Sequence, residues 1–207
     1  MDTISLIMLE LRKKYKSGSA LEILQEAILT GDLPEGIIIT QNELALSLGT
    51  SRMPVREALI SLEYQGFIER MPSQHIKAAT FTDEYIRSLF ADMATLEVEA
   101  LKSLPDGELE ALSSCRSQMD FHRALRRNIY APLRRKMLET FTEIYLPFVL
   151  EHSENVKQID LVFMNLLQAV KAPLDIDVTR AAYAVYSEVL SGSLIRIRKG
   201  RKSHAEP

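Results

Sequence analysis

One cysteine in 207 residues, Cys115, leaves this chain without an internal disulfide and fits a reducing compartment. No apolar run approaches the roughly 18 residues that a membrane span needs. The opening stretch, MDTISLIMLELRKKYK, is apolar first and basic afterwards, the reverse of a secretory signal. A cytoplasmic protein without a membrane partner is expected. Glycine and proline are sparse, eight of each, which argues against a long disordered region. Positive charge is scarce as well: the formal net charge is −3, and residues 1–80 carry 8 Lys and Arg against 10 Asp and Glu. Bulk electrostatics therefore cannot supply nucleic-acid affinity, and locally placed cations would have to. Catalytic signatures are missing too. There is no phosphate-cradling Gly-rich loop, no HExxH pair and no nucleophile elbow. Glu97 and Glu99 are two apart and share no helix face. No enzyme is expected.

What is present centres on Leu48 to Gly66, LGTSRMPVREALISLEYQG. Gly49 ends one short helix, and Ser51 is placed to cap the next, with Pro54 in its first turn. Val55, Ala58, Leu59 and Leu62 recur at i, i+3, i+4 and i+7, one buried stripe. Arg52 and Arg56 lie within about 40° of each other on the wheel, away from that stripe. Two guanidinium groups thus project from the start of a helix whose back is packed, the way a helix is presented to the DNA major groove.

Around this segment the chain divides into an extension (1–18), a small domain (19–81), a helical domain (82–198) and a basic tail (199–207). The extension reads as a solvated tail or a phosphate-touching arm. Ala20 to Thr30 forms an amphipathic helix with Leu21, Leu24, Ala27 and Ile28 inward, closed by Gly31. Thr40 to Glu43 is a capping box opening a second helix to Leu48. Phe67 to Arg70 and Ile76 to Thr80 read as strands about a tight turn, Met71 to His75. From Thr82 on there is no strand-like alternation and no repeat. Helices are expected over Glu84 to Leu104, Pro105 to Asn128, Pro132 to about Glu151, a fourth after Ser153, and Val178 to Arg198. The fold class is mainly α, with three helices and a small β wing ahead of an all-α bundle. The tail from Arg196 to Lys202 reads as a solvated helix end favoured by the helix dipole, or as an auxiliary DNA contact.

Preceded by QNELALS and followed by ISLEYQGFIER, the string LGTSRMPVREAL resembles the winged helix-turn-helix of the GntR transcriptional regulators, over about Ala20 to Phe81. The helical remainder resembles, more weakly, the sensor domain of the FadR-like (FCD) branch. The resemblance implies a sequence-specific regulator, a homodimer on double-stranded DNA with a palindromic operator, and a small-molecule effector of carboxylate type. Ligand binding would release DNA, as in a repressor, or promote binding. Arg52 and Arg56 become the expected major-groove contacts, joined by Ser51 and Met53. Thr40 and Asn42 are placed near the phosphates, Asn42 where some relatives carry arginine. The wing departs from the family, which has glycines near Ser73 and His75. Contact there falls to Gln74 or His75, or His75 is an exposed turn residue.

FCD-type sensors hold a divalent metal with one aspartate and three histidines. Phe121 to Leu125 resembles the first histidine segment, making His122 the candidate for an effector or metal site. Its companions do not follow. Gln118 stands four residues earlier, and Asp120 points roughly 160° away on the wheel. The later histidine positions fall near Phe163 and Glu188, and Met93 stands where an arginine is expected. No cofactor is therefore expected. Two rivals are carried: a small helical metalloenzyme using His122 with Asp120 or Glu97, and a regulator-derived helical dimer lacking effector or DNA binding.

Overall fold

Capping chemistry sets the first boundaries. Ser19 accepts from the Glu22 amide at 3.3 Å while Glu22 Oε2 accepts from the Ser19 amide at 2.7 Å, a reciprocal box opening α1 (Ala20–Thr30). Gly31, at φ 80°, closes it in the left-handed region that glycine enters without a Cβ penalty. Thr40 and Glu43 repeat the box for α2 (Gln41–Leu48), which Gly49 ends at φ 62°. These elements come from a computed structural model that describes residues 11, 13, 18–72 and 75–202, the last two by backbone alone. The expected arm lies largely outside the described residues, and Gln74 lies outside them.

Two compact units result, one formed by Met1–Phe81 with Arg198–Pro207 and the other by Thr82–Ile197. The first holds α1, α2, α3 (Arg52–Tyr64) and a sheet of β1 (Ile38–Thr40), β2 (Ile68–Arg70) and β3 (His75–Ala78). The sheet is antiparallel in the order β1-β3-β2, with Ile39 opposite Ile76 and Ile68 opposite Ala78. α3 buries Val55, Ala58, Leu59 and Leu62, the stripe read from the spacing. It packs against α1, whose buried face is Leu24, Ala27, Ile28 and Leu29, with Leu21 half-buried. Gln25 Nε2 donates to Gln65 Oε1 at 2.7 Å, tying α1 to the end of α3. Phe67 stacks on Phe81 at 5.9 Å beneath the sheet's exit.

The second unit is all helix among the described residues: α4 (Asp83–Leu101), α5 (Asp106–Ser113), α6 (Gln118–Arg127), α7 (Pro132–Thr140), α8 (Leu146–His152), α9 (Val156–Ala169) and most of α10 (Ile176–Lys202). Thr82 caps α4 by accepting from the Tyr85 amide. Asp175 Oδ1 accepts from the Asp177 and Val178 amides ahead of α10. The run expected from Pro105 to Asn128 is two helices, because Ser117 caps a new start by accepting from the Asp120 amide. Cys115 lies in that break and not within a helix. α7 and α8 are joined by one wide π turn, Phe141–Tyr145, which turns Phe141, Thr142 and Tyr145 all inward. No described helix is long and apolar enough to cross a membrane.

Candidate functional site

The start of α3 is where the first unit differs most from a closed surface. Ser51 has the extended backbone of an N-cap, φ −77° and ψ 168°, yet its side chain makes no capping hydrogen bond. This corrects the expected cap, and proline explains it. An N-cap hydroxyl normally accepts from the second or third helical amide. Here the third residue is Pro54, which has no N–H. The Ser51 hydroxyl is thereby left at an exposed helix N-terminus that has no acidic residue in its first turn. Arg52, Met53 and Arg56 are exposed, Met53 by 59%. Neither arginine forms an ion pair among the described residues. Backbone amides, two guanidinium groups and an apolar thioether thus share one open face, the mixture that phosphates, guanine edges and thymine methyls require.

Beside it lies a cleft of about 450 Å³ lined by Thr40, Gln41, Asn42, Arg52, Arg70, Met71, His75 and Ile76. Thr40, Asn42, Arg52 and His75 are therefore brought together, while Ser51, Met53 and Arg56 are not among the lining. The Thr40 hydroxyl donates to Glu43 Oε2 at 2.7 Å and accepts from the Glu43 amide, so its role is to build the α2 start. His75 is not a turn residue: it opens β3 opposite Thr40, half-buried, and its carbonyl accepts from the Met71 amide at 2.9 Å. Two polar lining residues, Gln41 and Arg70, are not among the expected site residues. Gln41 donates from Nε2 to the Arg52 carbonyl at 3.0 Å, joining α2 to the first residue of α3. Arg70 ends β2 and pairs with Glu63 at 2.6 Å. The charge of Arg70 just before the turn was a visible signal, whereas Gln41 had none beyond adjoining the capping box.

The helical unit turns its polar groups the other way. His122 Nδ1 lies 2.7 Å from Glu97 Oε1, and His122 Nε2 lies 3.1 Å from the Tyr186 hydroxyl. Tyr186 donates onward to Gln118 Oε1 at 2.6 Å, and Gln118 Nε2 donates to Asp160 at 3.0 Å. Glu97, Gln118 and His122 are all buried. Rings close the cluster: Tyr186 stacks on His122, while Phe121 and Phe141 meet it edge-on. Burial and the nearby Glu97 carboxylate hold the hydroxyls of Tyr183 and Tyr186 well above the usual tyrosine range. The space among these side chains is about 10 Å³, room for one water at most.

Both ring nitrogens of His122 are thus engaged by protein, and no group of three or more His, Cys, Asp or Glu converges among the described residues. Asp120 instead accepts from the Ser117 hydroxyl at the start of α6. Phe163, near an expected histidine position, packs edge-on against Phe121 at 5.6 Å. One imidazole and one carboxylate, finished by a phenol and an amide, do not fit the three or four donors of a zinc site.

Residues 16–76 match the family described as bacterial regulatory proteins, gntR family. An uncharacterised HTH-type transcriptional regulator of Streptomyces ambofaciens is 36% identical over 86 residues, 40% of this chain and 35% of the relative. One from Mycobacterium tuberculosis is 35% identical over 91 residues, 44% of this chain and 32% of the relative. The chain spans about a third of the length of these curated relatives. Among solved structures, Lar, which controls the expression of the Listeria monocytogenes agr system and mediates virulence, aligns at TM-score 0.55. It is 16% identical, with 86% of this chain and 95% of that one covered, and shows a shared fold alone. The family match falls within the first unit, whose three helices and three-stranded sheet have the winged helix-turn-helix arrangement.

Proposed function

We propose that this protein is a sequence-specific transcriptional regulator that reads DNA with α3. The observation that carries the reading is the exposed Arg52 and Arg56, without an ion pair among the described residues, on a helix whose opposite face is fully packed. Arg52 and Arg56 would contact guanine edges, Met53 a thymine methyl, and Ser51 and Asn42 phosphates. Gln41, Arg70 and His75 in the adjoining cleft would contact the phosphate backbone. The helical unit, taken as FCD-like, would dimerise the chain so that two copies of α3 read a palindrome. Exposed Leu161, Met164, Val178 and Val185 on α9 and α10 give that unit apolar surface for the purpose. A carboxylate-type effector bound at the His122 cluster would have to open it, since the space of about 10 Å³ there does not admit one.

Selection of bound fragments from a sheared genomic library, with wild type beside Arg52→Ala/Arg56→Ala, tests the reading. Enrichment of one palindrome by wild type alone is expected. No enrichment by either protein at low salt would favour the helical dimer without DNA binding.

A further inference from the structure

The chain's last helix carries a residue that serves the first unit. Arg198 is 4% exposed, among the most buried charges of the described residues. Its Nη1 donates to the carbonyls of Ile28 at 2.6 Å and Leu29 at 2.9 Å, in the last turn of α1. Its Nη2 pairs with Glu35 Oε1 at 2.6 Å, in the connector that leads to β1. The guanidinium also lies over the Phe81 ring, 5.2 Å from its centroid. One side chain therefore holds the end of α1, the connector to the DNA cleft and the residue that follows the sheet.

Elementary electrostatics explains why a cation is needed there. The C-terminal carbonyls of a helix carry partial negative charge, and α1 has no basic residue of its own in its last turn. Arginine fits because its planar fork can serve two carbonyls and one carboxylate at once, which a lysine ammonium cannot do in that geometry. α1 in turn bears on the reading helix through its buried face and through Gln25 to Gln65.

We propose that Arg198 is a positioning residue for DNA recognition: the end of α10 is a working part of the winged helix-turn-helix and sets α3 through α1. The expected solvated tail, or an auxiliary DNA contact, is replaced at this position by a buried internal clamp. The inference rests on the DNA-binding reading, and its test separates the two.

Full-length wild type, Arg198→Ala, Arg198→Lys and Glu35→Gln are compared for affinity to the selected operator across a salt series. Amide hydrogen exchange is followed alongside, below the unfolding transition of every variant. Arg198→Ala is expected to weaken binding about tenfold or more with an unchanged salt slope, because a buried clamp touches no phosphate. Exchange should quicken at the end of α1 and in α3, with Arg198→Lys falling between the two. A salt slope reduced by about one would make Arg198 a direct phosphate contact and overturn the proposal. Unchanged affinity with unchanged exchange would overturn it as well. Quickened exchange in Arg198→Ala, alongside a wild type that binds no DNA, would keep the clamp and remove the DNA reading.

Discussion

In the first unit the charges at the start of α3, Arg52 and Arg56, stand exposed without an ion pair among the described residues, whereas in the helical unit Glu97 and His122 lie buried 2.7 Å apart. The difference is one of desolvation. An exposed guanidinium keeps its hydration until a ligand replaces it, so it adds little to folding and much to binding. A buried carboxylate has already lost its water, so its partners are needed for the fold to stand. Ser51 and Tyr183 extend the contrast: one hydroxyl is left uncapped at an open surface, the other is sealed beside Glu97 without a hydrogen bond of good geometry.

The largest expected effect follows from the sealed side. His122→Ala leaves Glu97 buried without its partner and should lower stability by about 3–5 kcal/mol, read from urea unfolding. Replacing Glu97 and His122 together by leucine should cost less than the single change, since no charge is then stranded. On the open side, Arg56→Ala should weaken operator binding by about 1–3 kcal/mol without moving the thermal midpoint. Thr40→Ala removes the α2 box and should cost the first unit about 1 kcal/mol of stability. Tyr183→Phe should change stability at neutral pH by less than about 1 kcal/mol, because its hydroxyl makes no hydrogen bond of good geometry among the described residues.

At alkaline pH Tyr183 and Tyr186 become informative. Their folded pKa values are raised, so the stability they contribute is complete below the unfolded tyrosine value of about 10 and is lost as pH rises further. A stability profile above that pH should fall less steeply in Tyr183→Phe. An identical slope would remove Tyr183 from the account.

The first unit was legible because its signals are local. The α3 stripe, the Thr40 box and Gly49 each depend on residues within a few positions, and all three stand as read. Ser51 was misread because proline's missing N–H was counted at the helix and not at the cap. His75 reads as part of the turn because a strand of four residues carries too little alternation to fix its boundary. In the helical unit, His122 was visible but its partners were not: Tyr186 lies 64 residues on, and no periodicity joins them. Arg198 was hidden more deeply. Its carbonyl partners precede it by 170 and 169 positions, and a basic helix end looks the same whether solvated or clamped.

The most direct test of this division is a crossed measurement of operator affinity and thermal unfolding on Arg56→Ala and His122→Ala. Arg56→Ala is predicted to lose affinity at an unchanged midpoint, and His122→Ala to lose its midpoint while the folded fraction binds as wild type does. Full affinity in Arg56→Ala, together with weakened binding by folded His122→Ala, would contradict the assignment of reading to the first unit and of support to the second.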